Sequence, residues 1–369
     1  DKMFDGMSAT IRGDMQTSVQ QAEKQLDDPL AARILKALFL LKWVTSFKPS
    51  PRNVAILLID RPDINMQAHE KAVREALNIL EQQSYLQRNG ELYEFLTDIE
   101  KDIETEIKST EIDESEQTKL LSDVFFADIL RDPKIRYEVN GQDYSYARRL
   151  DDHLVGKDAE LSVNVITADH PLHGDQYTLA AQNTGKAELL AVLPSDARVI
   201  DDARLFIKTR KYIQQNPGTH FDSTRREILD RRSQQNSTNR SELQKRCEDL
   251  MGKATLYLNG TKLTDIGEGE ARTRFQKAGQ ELISFAYPSL RMLRGTYNEE
   301  LLRKTLLDPD DLMAGGGHTL SEAEQEVLTY VLRTQKNDKE RVTVEEMVRD
   351  FGKRPYGWPV MGVLVQVAR

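Results

Sequence analysis

The chain has 369 residues, 51 Lys/Arg against 60 Asp/Glu (net −9), 39% apolar residues and a mean hydropathy of −0.58, the make-up of several packed cores joined by long solvated helices. Those totals exclude a disordered polyelectrolyte and a protein coated in positive charge for nucleic acid, and no run approaches the roughly twenty apolar residues of a membrane span. The single cysteine, Cys247, excludes an internal disulfide and any cysteine-based zinc site. With no secretory signal at its start, the sequence is expected to be cytoplasmic.

Charge is unevenly spread. Pro29–Gly90 carries nine Lys/Arg against five Asp/Glu, whereas Glu91–Asp123 carries three against twelve. Residues 1–28 read as a helical linker. In 29–96, "PLAARILKALFLLKWVTS" opens with Pro29 after the capping Asp28, "PRNVAILLID" starts a second helix at Pro51, and "MQAHEKAVREALNILEQQ" spaces Val73, Leu77 and Leu80 toward a core. The alternating "SYLQRNGELYEFL" then predicts a hairpin with its turn at Asn89-Gly90. Three helices and a two-stranded ribbon are the order of a winged helix-turn-helix.

Such a module would set its third helix in the major groove of double-stranded DNA and its wing along the backbone. The expected outward residues are Gln67, Lys71, Arg74 and Asn78, with Arg52 on the second helix and Arg88 on the wing, all of types that suit phosphate and base-edge contacts. Many winged helices dock proteins instead, and packing without DNA contact stands as the equal alternative.

From 97 to 123 an acidic connecting helix is expected. It starts at the capping box Thr97-Asp98-Ile99-Glu100, with Ile99, Ile103 and Ile107 on one stripe, and reads either as a solvated spacer or as a cover over a basic surface. Residues 124–293 read as a mixed α/β domain with strands in "IRYEVNG", "AELSVNVIT", "YTLAAQ" and "AELLAVLP". A long charged helix over 222–252 holds the doublets Arg225-Arg226 and Arg231-Arg232, either a solvated face or a phosphate-tracking ridge. "TLYLNGTKL" predicts a second Asn-Gly hairpin. "DPDDLMAGGGH" reads as a linker, and residues 294–369 as a C-terminal, winged-helix-like helical domain cut before its wing, in which "RPYGWP" locks a turn and buries its rings. The fold class is therefore multidomain α+β.

Little here suggests chemistry. "AAQNTGKAEL" approaches a phosphate loop, but only Gly185 and Lys186 fit Gly-x-x-x-x-Gly-Lys-Ser/Thr; Ala180 and Ala187 hold the other two positions, so a hairpin turn at Asn183–Lys186 is the plainer reading. His170, His173 and Asp175 could form part of a metal site, but they have no obvious fourth ligand and fit a polar loop better. No catalytic constellation occurs at a readable spacing, so no enzymatic activity, cofactor or metal is expected within these residues.

The strings "ARILKALFLLKWV…PRNVAILL", "RNGELYEFLTDIEKDIETEI", "LFIKTRKYIQQN" and "RPYGWPVMGVL" resemble the large P-loop ATPases of bacteriophage-exclusion (BREX) defence systems, the BrxC/PglY family. The resemblance extends over most of the chain. It implies a C-terminal portion of an AAA+-like ATPase, with residues 1–28 derived from the lid of an upstream module that would hold ATP and magnesium. No phosphate loop or Walker-B strand is present here, so no nucleotide-binding residue carries over. The implied function is DNA contact and assembly with other BREX components in antiviral defence, with no membrane partner and room for a homo-oligomeric full-length protein. A protein-interaction scaffold that never touches DNA is the alternative.

Overall fold

The computed structural model describes residues 24, 26, 28–42, 44, 46–217, 223–307, 320–338 and 341–369. The expected helix over 1–28 and the linker "DPDDLMAGGGH" lie, apart from three residues, outside this set. The chain divides into two compact units: the residues up to Gln117 with Asp201–Leu243, and Thr118–Ile200 with Gln244–Arg369.

The first unit opens with α1 (Pro29–Leu41), α2 (Pro51–Leu57) and α3 (Met66–Gln82). Each helix starts where a short polar side chain satisfies an orphan amide: Asp28 accepts from Leu30 N (2.8 Å), Ser50 from Asn53 N (3.3 Å) and Asn65 from Ala68 N (3.1 Å). Prolines at the first position fix the entry of α1 and α2. Helical spacing then buries Ala31, Ile34, Leu35, Leu38 and Phe39 of α1 against Val54, Ala55, Val73, Ala76, Leu77 and Leu80. Each large side chain so buried contributes on the order of 1.5–3 kcal/mol.

The ribbon of β1 (Leu86–Asn89) and β2 (Leu92–Phe95) closes this core, with Phe39 and Phe95 edge to face at 5.2 Å. The winged-helix order expected for 29–96 is present. Its turn is shifted by one residue: Asn89 pairs with Leu92, so Gly90-Glu91 form the loop, and Gly90 alone of the two takes a positive φ of 60°.

The acidic segment is not the single solvated helix expected. It comprises α4 (Asp98–Ser109) and α5 (Glu114–Ser122), and α5 runs into a π-helix, Asp123–Leu130. The capping box at Thr97 and Glu100 starts α4 as read. Ile99 is exposed, however, while Ile103 and Ile107 pack with Tyr212, Ile228 and Leu229 of two further helices, α7 (Ala197–Gln215) and α8 (Ser223–Lys253). These belong to one long helical hairpin, and α8 alone, with 31 residues, extends about 46 Å. The polar string "SQQNSTNR" does not interrupt α8; within it Asn236 is buried and donates to Phe206 O (3.1 Å).

The second unit is built on a sheet. Its strands are β3 (Lys134–Tyr137), β4 (Gln142–Leu150), β5 (His153–Val155), β6 (Leu161–Ile166), β7 (Glu188–Val192), β8 (Thr255–Leu258) and β9 (Thr261–Lys262). The order is β3-β4-β6-β7-β8-β9, with β5 paired to β4; β4, β6 and β7 run parallel and the other pairs antiparallel. All five residues of β7 are buried, as expected of a strand covered on both faces.

The segment read as the strand "YTLAAQ" is instead a helix, α6 (Gln176–Asn183), the crossover between parallel β6 and β7. Asp175 caps it by accepting from Thr178 N (3.1 Å), and Leu179, Ala180 and Asn183 turn to the sheet at helical spacing. Tertiary burial next to Ile166, Leu190, Val192 and Tyr257 overrides the apparent alternation. The second Asn-Gly hairpin is as expected, with Asn259 and Gly260 both at positive φ between β8 and β9.

Helix α9 (Ala271–Ala286) packs so close to β3 that a Cβ on Gly279 would meet Ile135 Cγ2 at 2.6 Å. A 3₁₀ turn (Pro288–Met292) leads to α10 (Glu299–Leu307), α11 (Glu322–Asp338), α12 (Val344–Phe351) and α13 (Val360–Ala368), and α13 contacts each of the other three. The "RPYGWP" turn buries its aromatics as expected: Trp358 stacks on Phe351 at 4.7 Å and 11°, with Tyr356 edge-on to both. It also ties these helices to the sheet domain, since Trp358 Nε1 donates to Ser289 O (3.1 Å) and Tyr144 Oη to Gly357 O (3.1 Å).

Candidate nucleic-acid and protein interfaces

Of the six residues read as DNA contacts, Arg52, Gln67, Lys71 and Asn78 are exposed, with Arg52 on α2 and the other three on α3. The cations of α3 are matched within the helix. Lys71 faces Glu75 at 3.9 Å, and Arg74 binds Glu70 at 3.0 Å and is partly covered. Such exposed i,i+4 pairs contribute only ~0.3–0.5 kcal/mol to stability, yet each places a carboxylate where a phosphate would have to come. Asn78 also accepts weakly from Tyr93 Oη (3.4 Å).

Arg88 departs from the expectation. Instead of projecting from the wing toward a backbone, its side chain is 11% exposed and lies between Glu81 (3.4 Å) and Asp202 of α7. The reason is the neighbourhood: Gln87 Nε2 donates to Gln235 of α8 (3.2 Å), and Gly90 lies under the Glu242 carboxylate so closely that a Cβ there would collide with it. The wing is thus pressed onto the helical hairpin of its own unit.

The acidic helix and the arginine doublets also meet. Arg225 binds Glu106 (2.6 Å), Arg231 binds Glu100, and Arg232 binds Glu104 (3.0 Å) with both partners about 95% buried. Three of the four doublet arginines are therefore tied to α4 while Arg226 is exposed, so the doublets are not an open phosphate ridge, and α4 is not a solvated spacer. Its carboxylates occupy that row of arginines. Burial pulls Arg232 below the ordinary arginine value against the attraction of Glu104. Burial pushes Glu100 up, but Lys42 (2.7 Å), the Thr97 backbone N–H and Arg231 outweigh it and hold the carboxyl below its usual range. The Tyr212 hydroxyl, and Arg225 with it, do the same for Glu106.

A lowered carboxylate pKa stabilises the fold above the ordinary glutamate value of about 4.5 and loses that contribution as pH falls through the lower folded value. Acidification below about 4.5 should therefore lower the melting temperature. Glu100→Gln should flatten that fall, and a pH series of thermal melts checks it; equal slopes for both proteins would contradict the assignment.

The near-phosphate loop has a structural use. Gly185, at φ 78°, donates its N–H to Asn259 Oδ1 (2.8 Å), and Gly260 N donates to buried Asn183 Oδ1 (3.2 Å), so the turn after α6 and the β8-β9 hairpin lock each other. It joins a helix to a strand rather than two strands, because the segment before it is α6. Lys186 is exposed.

His170 is buried, faces Asp152 Oδ2 through Nε2 (3.0 Å) and accepts Leu172 N–H at Nδ1 (3.1 Å); His173 Nε2 is satisfied by Leu193 O (2.8 Å). With Asn164 and Thr167, His170 holds the Asp151-Asp152 turn, whose two residues both take positive φ without glycine. No group of three or more potential metal ligands occurs among the described residues.

Two family models match the chain. Residues 110–282 match the fourth domain of the BREX ATP-binding protein BrxC, described as having a six-stranded β-sheet, and residues 304–369 match the BrxC winged helix-turn-helix domain. The chain belongs to the BREX BrxC family. The β3-to-β9 path has the six strands of the BrxC fourth-domain description, with β5 as a side branch. The BrxC winged-helix model falls on α10–α13, the region read from sequence as winged-helix-like, while the three helices and ribbon of 29–96 are a second unit of that order outside both matches. No solved structure matches the chain. No helix among the described residues is long and apolar enough to cross a membrane.

Proposed function

We propose that this part of BrxC acts as a non-catalytic assembly element of a BREX defence complex, with the winged helix at 29–96 docking protein rather than reading DNA. The observation that carries this is the wing: its arginine is held between Glu81 and Asp202, and the α3 cations are matched by Glu70 and Glu75. The same module also exposes large apolar side chains, with Ile56, Leu57 and Ile59 each 42–50% accessible at the end of α2. ATP and magnesium we assign to a module outside these residues, because the one glycine-lysine turn that approaches a phosphate loop lends its N–H to Asn259.

A second reading, a DNA-contacting α3, draws on the exposure of Arg52, Gln67, Lys71 and Asn78. Affinity capture with the other BREX components in nuclease-treated extract separates the two. Docking through α2 implies that capture survives nuclease, drops at least tenfold in Leu57→Glu and is unchanged in a Lys71→Ala/Arg74→Ala protein. Loss of capture both on nuclease treatment and in the Lys71→Ala/Arg74→Ala protein would favour the second reading.

A further inference from the structure

Many of the cations described above are matched by carboxylates, whereas two stretches of the chain carry cations and no carboxylate. The stretches Leu282–Asn298 and Phe351–Arg369 contain no Asp or Glu, in a chain with 60 of them. The fold sets these two stretches side by side. Ser289 N donates to Pro355 O (3.1 Å), Arg354 Nε to Ala286 O (3.3 Å), and Trp358 Nε1 to Ser289 O (3.1 Å). A Cβ on Gly362 would lie 2.8 Å from Leu293 Cδ1.

Arg291, Arg294, Lys353 and Arg354 are carried on this seam, all exposed. Among the described residues none of the four makes an ion pair, in contrast to Lys71, Arg74, Arg88, Arg225, Arg231 and Arg232. The nearest carboxylates have other contacting partners: Glu160 accepts from Tyr287 Oη (3.2 Å), and Asp350 is held by Arg349 (2.9 Å) and Tyr330 Oη (2.6 Å), with Lys353 attracting it from beyond ion-pair distance.

We propose that this seam, where the sheet domain joins the C-terminal helices, binds the phosphate backbone of duplex DNA without reading sequence. Arginine suits the role because its planar fork pairs with two phosphate oxygens. The winged helix-turn-helix match over residues 304–369 takes in Lys353, Arg354 and α13, and modules of that order commonly lie along DNA. Base readout is absent for a chemical reason: the residues of α13 that are not buried near its start are Val360, Met361 and Leu364, which offer no hydrogen-bonding group to a base edge. Contact limited to phosphates makes affinity dependent on salt and indifferent to sequence.

The test is fluorescence anisotropy with the whole chain and labelled 30-base-pair duplexes of two unrelated sequences, over a salt series. Equal affinities for the two duplexes are expected, with a slope of log K on log salt of about −3 to −4. Arg291→Ala/Arg294→Ala/Lys353→Ala, which keeps the Arg354 contact to Ala286, should weaken binding more than tenfold at low salt and reduce that slope by about 2 to 3. The matching Arg→Lys/Arg→Lys protein, with Lys353 kept, should retain most of the binding, and circular dichroism controls for folding. No binding at 50 mM salt, an unchanged slope in the triple variant, the slope residing instead in Arg52→Ala/Lys71→Ala/Arg74→Ala, or polyglutamate competing as well as DNA at equal charge would each overturn the proposal.

Discussion

Replacing Glu104 with alanine is expected to destabilise the contact between α4 and α8 by ~3–5 kcal/mol. Glu104 and Arg232 are about 95% buried, and the arginine Nη2, 3.0 Å from the carboxylate, donates no well-formed hydrogen bond, so the ion pair is its contact. Removing the carboxylate leaves a buried guanidinium without its contacting counter-charge, with only Glu100 and Glu94 attracting it from farther away, and that cost is larger than the net worth of the pair. The measurement is native-state hydrogen exchange of the Ile103–Ile107 amides, whose protection should fall at least a hundredfold. Glu104→Leu/Arg232→Met removes both charges at similar volume and should stay within about 1 kcal/mol of the parent, or exceed it. A mild single variant would mean that the site is open to water.

Trp358→Ala should have an effect of comparable size, ~3–5 kcal/mol, on the C-terminal helices. The indole fills the space beside Phe351, and its Nε1–H is the partner of Ser289 O. The alanine protein loses both the packing and the tie to the 3₁₀ turn. Gly357→Ala attacks the same joint from the backbone: the residue has φ 63°, and an added Cβ would run into the Tyr287 ring. Limited proteolysis should then cut within 320–369 while the sheet core stays intact. Trp358→Phe should recover much of the loss. Unchanged cleavage of the alanine variant would show that the turn does not hold these helices.

How far the sequence could be read depended on whether the signal was local. The caps Asp28 and Thr97, the spacing of Val73, Leu77 and Leu80, and the Asn259-Gly260 turn are local, and each was legible. "YTLAAQ" misled because six residues of mixed polarity fit alternation as well as one helical face; the capping contact from Asp175 to Thr178 was the available sign. Charge was the larger gap. Composition located the acidic helix and the arginine doublets, but it could not show that they pair with each other over more than a hundred residues of chain. Ile99 looked part of an apolar stripe for the same reason: only the direction from which α7 and α8 approach decides that Glu100 and Glu104 are covered instead.

The same pairing governs how the surface should be read. A basic residue on a winged helix suggests phosphate contact only while its charge is unspent, and Arg88 shows how one cation on a wing can serve the fold. On the proposal made above, duplex DNA meets the seam between the 3₁₀ turn and α13 rather than α3, whose Lys71 and Arg74 are matched by Glu75 and Glu70. Electrostatics inside the first unit would then maintain one arrangement of wing and helical hairpin, leaving α2 as its exposed apolar contact.

The contact between Arg88 and Asp202 bears most directly on that arrangement. A double-mutant cycle with Arg88→Ala and Asp202→Ala, read by hydrogen exchange at the β1 and β2 amides, should give a coupling of about 1 to 3 kcal/mol. Strictly additive single effects, with Arg88→Ala instead weakening DNA binding, would return the wing to the nucleic acid and contradict the assembly role.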